Sequence, residues 1–508
     1  MGTVVISTSD YIKFANQHLL DRSTYCLFPS LPTERLLACW KLLRTILLQH
    51  GKLHKFRTGT HLSDIARYIL QLEPTDPSNP KLSVGQFYLL MKVHKKELAG
   101  RPIISCINTM TYYASKYIDR IVQPLMKQLS SYITSSHHLL FELEVKKHRF
   151  PPDCWILCAD IDSLYPNIPT KEGVLFFKSA LLRYNNNDQF FPTKDIDFIC
   201  NLLRWVLENN YFSFGDQYYH QINGTAMGTP VAVVYACLVL DEVEFKAFQT
   251  LDFRPLFFKR FIDDILSINS TRDQCERLLS AICSILTTIK STSFTISDQH
   301  GVFLDIELYK GSEFISSGIF SFKLYQKPQN KYLYLSPLSH HSPHVFTAWI
   351  TSEVNRYCLL NSEHSDFVSI CMSFKQRLMD RGYKEPFIEE QFRKGSTRNV
   401  LLNHLVEHFS KSDQHSSSLN TTNRPPIVFK TKYNTLVKYL KLHDCLQVPN
   451  YLSQHQVFSS IFDRNHPIIC FSNHRNLRSL LCKARKTLHT HNSSYPPNDD
   501  SQTSSSSL

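Results

Sequence analysis

The sequence predicts a mixed α/β fold, and three features of its 508 residues carry that expectation. A short apolar run, Trp155 to Ala159, stops at an acidic residue, Asp160, and reads as a buried strand. Residues 256–269 (LFFKRFIDDILSIN) read as two strands joined at Asp263-Asp264, a hairpin. Around them lie longer segments whose apolar residues recur at helical spacing. A chain of this length exceeds one ordinary core and should form two or three packed units.

Taken in order, residues 1–79 form an expected N-terminal helical region. Within it, 33–50 (TERLLACWKLLRTILLQH) has the helical period, with Thr33 as N-cap. Residues 74–81 (PTDPSNPK) are a turn cluster and a boundary. A helix is expected over 112–129, with Tyr113, Tyr117, Ile121, Leu125 and Leu129 along one face. Thr229 can cap, Pro230 suits a first helical position, and the apolar stretch after them runs to Phe248. Ser365 to Gly382 reads as a helix with Phe367, Ile370, Cys371, Phe374 and Leu378 inward and Gly382 as terminator. The polar stretch 411–425 reads as a linker, 426–490 as a small, mostly helical connector module, and 491–508 as a disordered tail.

Composition narrows the function classes. The formal charge of +12 is compatible with a polyanionic partner and equally with a solubility role. None of the 14 cysteines form a C-x-x-C pair, which argues against a zinc ribbon or a disulfide scaffold. Free thiols fit a reducing compartment, so a soluble nuclear or cytoplasmic protein is expected. The longest apolar run, Val231 to Leu240, is about half a membrane span and ends at Asp241. No membrane partner and no signal peptide are therefore expected.

The carboxylates carry the chemistry. Nucleotidyl transfer uses two divalent ions roughly 3.5–4 Å apart, clamping the attacking and leaving oxygens. A strand ending at Asp160 and a hairpin tip at Asp263 and Asp264 are a simple way to bring such carboxylates together. Each piece alone has an ordinary reading. An Asp-Asp pair at a turn is usually solvated, and Asp162, near Ser and Pro, suits a turn cap. The ordered set carries the claim.

Blocks along the chain resemble the successive motifs of reverse transcriptases, most closely those of the Penelope-like retroelements. LLMKVHKKELAGRPIIS resembles their finger motifs, with K-x-H-K at Lys92 to Lys95 and R-P-I at Arg101 to Ile103. DIDSLYPNIP (160–169) resembles their first catalytic block, and QINGTAMGTP (221–230) their glycine-rich loop. FIDD stands where the family carries Y-x-D-D, and FLDIEL (303–308) and YQKPQNKYLYLSPLSHHSPH (325–344) resemble later palm motifs. The match runs from about residue 80 to 410, with a weaker echo to about 485.

The resemblance implies a right hand: fingers and palm over 80–345, a helical thumb over 346–410, and an RNA-directed DNA polymerase that extends a primer 3′ end. Asp160 and Asp263 would bind two Mg²⁺ ions (Mn²⁺ as substitute), with Asp264 in support and the Ile161 carbonyl completing a shell. Tyr165 would be the gate that rejects a ribose 2′-OH, favouring dNTPs. Without the motif it is a buried aromatic before a turn. Arg101, with Lys92 and Lys95, would hold the triphosphate, although a solvated basic face is an alternative for the lysines. Gly224 and Gly228 would admit template and incoming base closely. Lys327, Pro328, Tyr332 and Tyr334 would grip the DNA primer on its RNA template.

Some features depart from this pattern or leave it open. Phe261 replaces the usual Tyr, and Pro166 stands where Thr is common. Met227 is expected to pack. His340, His341 and His344 suit a primer contact or plain loop better than a zinc site. Arg475, Arg478, Lys483, Arg485 and Lys486 read as a nucleic-acid patch or a nuclear-targeting patch. No GIY-YIG nuclease is expected after the connector. The chain should therefore extend existing 3′ ends, which leaves room for a separate endonuclease partner. The rival functions are a catalytically inactive, domesticated copy that only binds nucleic acid, an RNA-dependent RNA polymerase, and, more distantly, a metal phosphohydrolase.

Overall fold

A computed structural model describes residues 6–56, 59–75, 82–92, 98–328, 330, 332–339 and 341–414, and two further strands, Val428–Lys432 and Ile468–Ser472. The fold is mixed α/β, as expected, and centres on one four-stranded sheet. Its strands are β1 (Trp155–Asp160), β2 (Phe257–Phe261), β3 (Asp264–Asn269) and β4 (Ser293–Ser297). They lie in the order β4-β1-β3-β2, each neighbouring pair antiparallel. Helices α1 (Thr170–Tyr184), α2 (Ile196–Glu208) and α3 (Ala232–Thr250) fall between β1 and β2, and α4 (Arg272–Ile285) between β3 and β4. This split βαβ arrangement puts β1 and β3 in the middle of the sheet, side by side.

Strand periodicity explains why β1 reads as unbroken apolar sequence. Leu157 and Ala159 face the core formed by the helices, while Ile156 and Cys158 face a second core with Phe303, Ile306 and Leu308. Those three come from a small antiparallel sheet of His300–Phe303, Ile306–Tyr309 and Ser321–Leu324. With both faces covered, no alternate position is left for a polar residue. Each buried Ile or Leu stabilises the sheet by about 1.5–3 kcal/mol.

Helix α3 is buried on nearly its whole circumference. Unpaired acids would be costly there, and each has a cationic partner. Arg183 reaches Asp241 at 3.1 Å and also pairs with Glu242, while Arg260 pairs with Glu244.

A five-stranded sheet lies further along the same unit, in the spatial order Tyr25–Phe28, Gln217–Gln221, Asn210–Phe214, Gly85–Lys92, Ala99–Ser105. The stretch expected to be purely helical at the N-terminus thus supplies an edge strand as well as the helices Thr8–Leu19, Thr33–Gln49 and Asp64–Ile69.

Several expected boundaries move, each for a local reason. Thr33 does not cap its helix: it is the first helical residue, after Pro32, and its hydroxyl donates back to the Leu31 carbonyl. The helix expected over 112–129 ends at Val122 and continues as a 3₁₀ segment, Gln123–Gln128. Pro124 cannot donate the next α-helical bond. The helix expected from Pro230 starts at Ala232, and the Val231 N–H just before it is satisfied by Ser115 Oγ at 3.0 Å. The helix near 365 spans His364–Asp380, with Phe374 and Leu378 buried and Gly382 beyond it at φ +98°.

The chain separates into two compact units. The first comprises Met1–Tyr334, Val354–Leu378 and Gly395–Lys411, and the second Leu335–Glu353, Met379–Lys394 and Ser412–Leu508. Within the second, Tyr383 Oη donates to the Leu335 carbonyl at 2.9 Å, its ring meets Trp349, and Ile388 is buried. Of the expected connector, the described residues are the strands Val428–Lys432 and Ile468–Ser472, which pair in parallel. The helical reading of its remainder, the linker beyond residue 414, the tail, and turn residues 76–81 lie outside the described residues. No helix among the described residues is long and apolar enough to cross a membrane.

Candidate active site

Antiparallel register places the aspartates. Asp264 opens β3 directly opposite Asp160, the last residue of β1, and Ser293 of β4 flanks Asp160 on its other side. Asp263 sits in the two-residue loop that joins β2 to β3, and its carbonyl accepts the Ile161 N–H at 3.0 Å. Ile161, whose carbonyl is the expected further ligand, is fixed by that bond. The other loop residue, Ile262, has φ +56°, in the left-handed region. A hairpin loop of this length favours glycine there, and a β-branched residue costs about 1–3 kcal/mol.

Electrostatics shows that the three carboxylates share a neighbourhood. Burial raises the Asp264 pKa, and Asp263 and Asp160 push it further, to about 6, while Lys327 pulls the other way. Hard oxygen donors that repel one another suit a hard divalent cation, which would relieve the repulsion. Among the described residues no three or more His, Cys, Asp or Glu side chains are gathered closely enough to hold a metal ion by themselves. A two-ion site for phosphoryl chemistry takes few protein carboxylates and keeps positions for phosphate and water. Asp162 is held in the turn: its backbone N–H donates to the Lys290 carbonyl and its carboxylate accepts the Thr292 N–H, both at 2.8 Å.

Arg101, Tyr165 and the glycine loop meet beside the aspartates. Burial raises the Tyr165 pKa most, Cys237 and Asp263 add to it, and Arg101 opposes, so phenol, carboxylate and guanidinium are within electrostatic reach. The loop is fastened at two points. Thr225 N–H donates to the Tyr165 carbonyl at 2.9 Å, and the Met227 carbonyl accepts the Ile104 N–H at 2.9 Å. Ile104 belongs to the strand that carries Arg101. At Gly224, with φ +71°, a Cβ would run into the backbone of Tyr165 and Pro166. At Gly228, with φ +125°, it would strike the Ile104 carbonyl. Lys92 pairs with Ala99 in the adjacent strand; its side chain, and all of Lys95, lie outside the described residues.

The expected primer side is split. Lys327 is exposed and close enough to Asp264 to oppose the rise in its pKa. Tyr332 and Tyr334 instead have protein partners. Arg377 stacks 3.7 Å from the Tyr332 ring centroid, and the Tyr334 ring meets Phe374 edge-on at 5.2 Å. His341 and His344 bond neighbouring serines, Ser339 and Ser342, while His340 and the basic residues Arg475 to Lys486 lie outside the described residues. Sequence reasoning missed Arg260, which is fully buried one residue before Phe261. A signal was present: an arginine inside an apolar strand, and a glutamate inside an apolar helix.

A family model described as the animal helix-turn-helix domain matches residues 333–393. No curated protein matches the chain. Among solved structures, the chain is similar to telomerase from Candida albicans in complex with a TWJ fragment of telomeric RNA. That pair is 13% identical, covers 75% of this chain and 69% of that one, and has a TM-score of 0.42. The RNA-dependent RNA polymerase of a human picorbirnavirus is 10% identical, over 80% of this chain and 84% of that one, with a TM-score of 0.46. The Sicinivirus 3Dpol RNA-dependent RNA polymerase is 12% identical, over 70% and 74% respectively, with a TM-score of 0.38.

Proposed function

We propose that the chain is a template-directed nucleic-acid polymerase, and specifically an RNA-directed DNA polymerase of the Penelope-like retroelement type. One observation carries this reading: Asp264 pairs directly with Asp160, Asp263 lies at the adjoining hairpin tip, and Tyr165 stands within electrostatic reach of both Asp263 and Arg101. The central sheet is then the palm, the five-stranded sheet part of the fingers, and the helices from 343 onward begin the thumb. Asp160, Asp263 and Asp264, with the Ile161 carbonyl, would hold two Mg²⁺ ions. When bound, these supply Lewis acidity to the primer 3′-OH and to the departing pyrophosphate.

The chain's own residues bind and select. Arg101 meets the triphosphate with charge-assisted hydrogen bonds, joined by Lys92 and Lys95. Tyr165 occupies the volume a ribose 2′-OH would need, so a deoxyribose is preferred. Gly224 and Gly228 let the loop pack directly on the Tyr165–Pro166 backbone and the Ile104 carbonyl, which would fix the surface offered to template and incoming base. Lys327 carries positive charge to the primer side of the aspartates, and Tyr332 and Tyr334 would shape the chain segment that follows it.

The test is primer extension on an RNA template, with dNTPs and NTPs supplied in separate reactions. Extension with dNTPs but not NTPs supports the reading. Extension with NTPs alone makes the chain an RNA polymerase, and tight primer–template binding without either makes it a binding protein.

A further inference from the structure

Arg260 has no exposed surface, and every arm of its guanidinium is engaged. Nε pairs with Glu244 of α3, Nη2 donates to the Cys237 carbonyl of the same helix at 3.1 Å, and Nη1 donates to the Ile262 carbonyl at 2.9 Å. Glu244 is itself buried and also accepts from Ser131 Oγ at 2.5 Å. The Arg260 backbone is tied on both sides, its N–H to the Ser131 carbonyl at 2.7 Å and its carbonyl to the Ile133 N–H at 2.9 Å. The anchor is therefore rigid, and what it holds is the peptide between Ile262 and Asp263.

That peptide needs holding. Ile262 has a left-handed backbone at φ +56°, which a β-branched residue disfavours, so without support the loop would relax. Relaxation would rotate Asp263, the residue whose carbonyl the Ile161 N–H fixes beside Asp160. The ion pair to Glu244 fixes the guanidinium in the core. Its Nη1 hydrogen bond then falls on the carbonyl immediately preceding Asp263.

We propose that Arg260 is a positioning residue: clamped by Glu244, it holds the Ile262 carbonyl and thereby aims the Asp263 carboxylate at the divalent cation. This rests on the polymerase reading above. A lysine cannot replace it, because one ammonium group does not span three fixed acceptors as a planar guanidinium does.

The test uses the full chain carrying Arg260→Lys, which keeps a cation beside Glu244, alone and combined with Ile262→Gly, which removes the reason for the clamp. Thermal melting, Mn²⁺ binding by electron paramagnetic resonance without nucleic acid, and primer-extension kinetics are read on each. Arg260→Lys should bind Mn²⁺ about tenfold or more weakly. It should lower kcat by a similar factor and leave KM for dNTP within about twofold. Adding Ile262→Gly should recover most of both losses. Equal Mn²⁺ affinity in Arg260→Lys and wild type overturns the inference, as does a loss that only tracks melting and is not recovered. If Arg260→Lys does not fold, Glu244→Gln, which loosens the guanidinium while keeping the volume, is read by the same criteria. Wild type that binds Mn²⁺ but extends nothing defeats the polymerase reading, and the Mn²⁺ comparison still decides the role of Arg260. Wild type that binds no Mn²⁺ overturns the inference, and primer extension then decides the polymerase reading by itself.

Discussion

Asp160 and Asp264 are direct partners across the two central antiparallel strands, one closing its strand and the other opening the next. The relationship follows from strand order, because the split βαβ arrangement makes β1 and β3 neighbours although α1, α2, α3 and β2 lie between them in the chain. The site is thus a property of the sheet, with loops adding the selective groups around it.

Removing the Tyr165 ring should change which sugar is accepted. In Tyr165→Gly, discrimination between a dNTP and its ribonucleotide should fall by at least about tenfold, or ~1.4 kcal/mol of differential transition-state binding. Single-nucleotide incorporation with paired dNTP and NTP substrates measures it. Unchanged discrimination would leave Tyr165 as a packing residue.

Gly228 should not tolerate a methyl group. Its φ is +125°, and a Cβ would strike the Ile104 carbonyl on the strand that carries Arg101. Gly228→Ala should cost about 1–3 kcal/mol of stability and raise KM for dNTP more than it weakens primer–template binding. Denaturant unfolding and steady-state kinetics together check this. A variant as stable and as active as wild type would show that the loop is not fastened there.

Glu142 should make the protein acid-sensitive. Burial alone would raise its pKa, but His138, Lys146 and Lys259 outweigh burial and hold it well below 4.5. A lowered folded-state pKa contributes stability that is full above the unfolded value and lost as pH falls below about 4.5. Lys259 lies on β2, beside Arg260, so the loss loosens the strand that leads to Asp263. Glu142→Gln should destabilise at pH 7 by roughly 1–3 kcal/mol and flatten the acid limb of the melting-temperature profile. An acid limb as steep as in wild type would contradict this assignment.

The parts of the site that are legible in sequence are those set by local pattern. β1, the hairpin and the glycine loop are each short, and their turn chemistry or apolar runs stand next to the functional residue. Less legible is whatever a distant residue decides. Ser115, far away in the chain, takes the Val231 N–H at the start of α3, and Pro124 breaks a helix whose apolar spacing continues through it. Tyr332 and Tyr334 read as strand-gripping aromatics, yet Arg377 covers the Tyr332 ring and Phe374 packs against Tyr334, and no spacing rule places those partners. Arg260 was hidden for the same reason: its meaning lies in Glu244 on another element, and only the fold brings the two together.

The most direct test of the account is single-turnover addition of one dNTP to a primer on an RNA template at fixed Mg²⁺, comparing wild type with Asp263→Asn at equal primer–template occupancy. The account predicts measurable addition by wild type and a fall of at least about a hundredfold in the variant, with binding of primer–template intact. Equal rates in the two proteins would contradict it, because the carboxylate at the hairpin tip would then have no part in the chemistry.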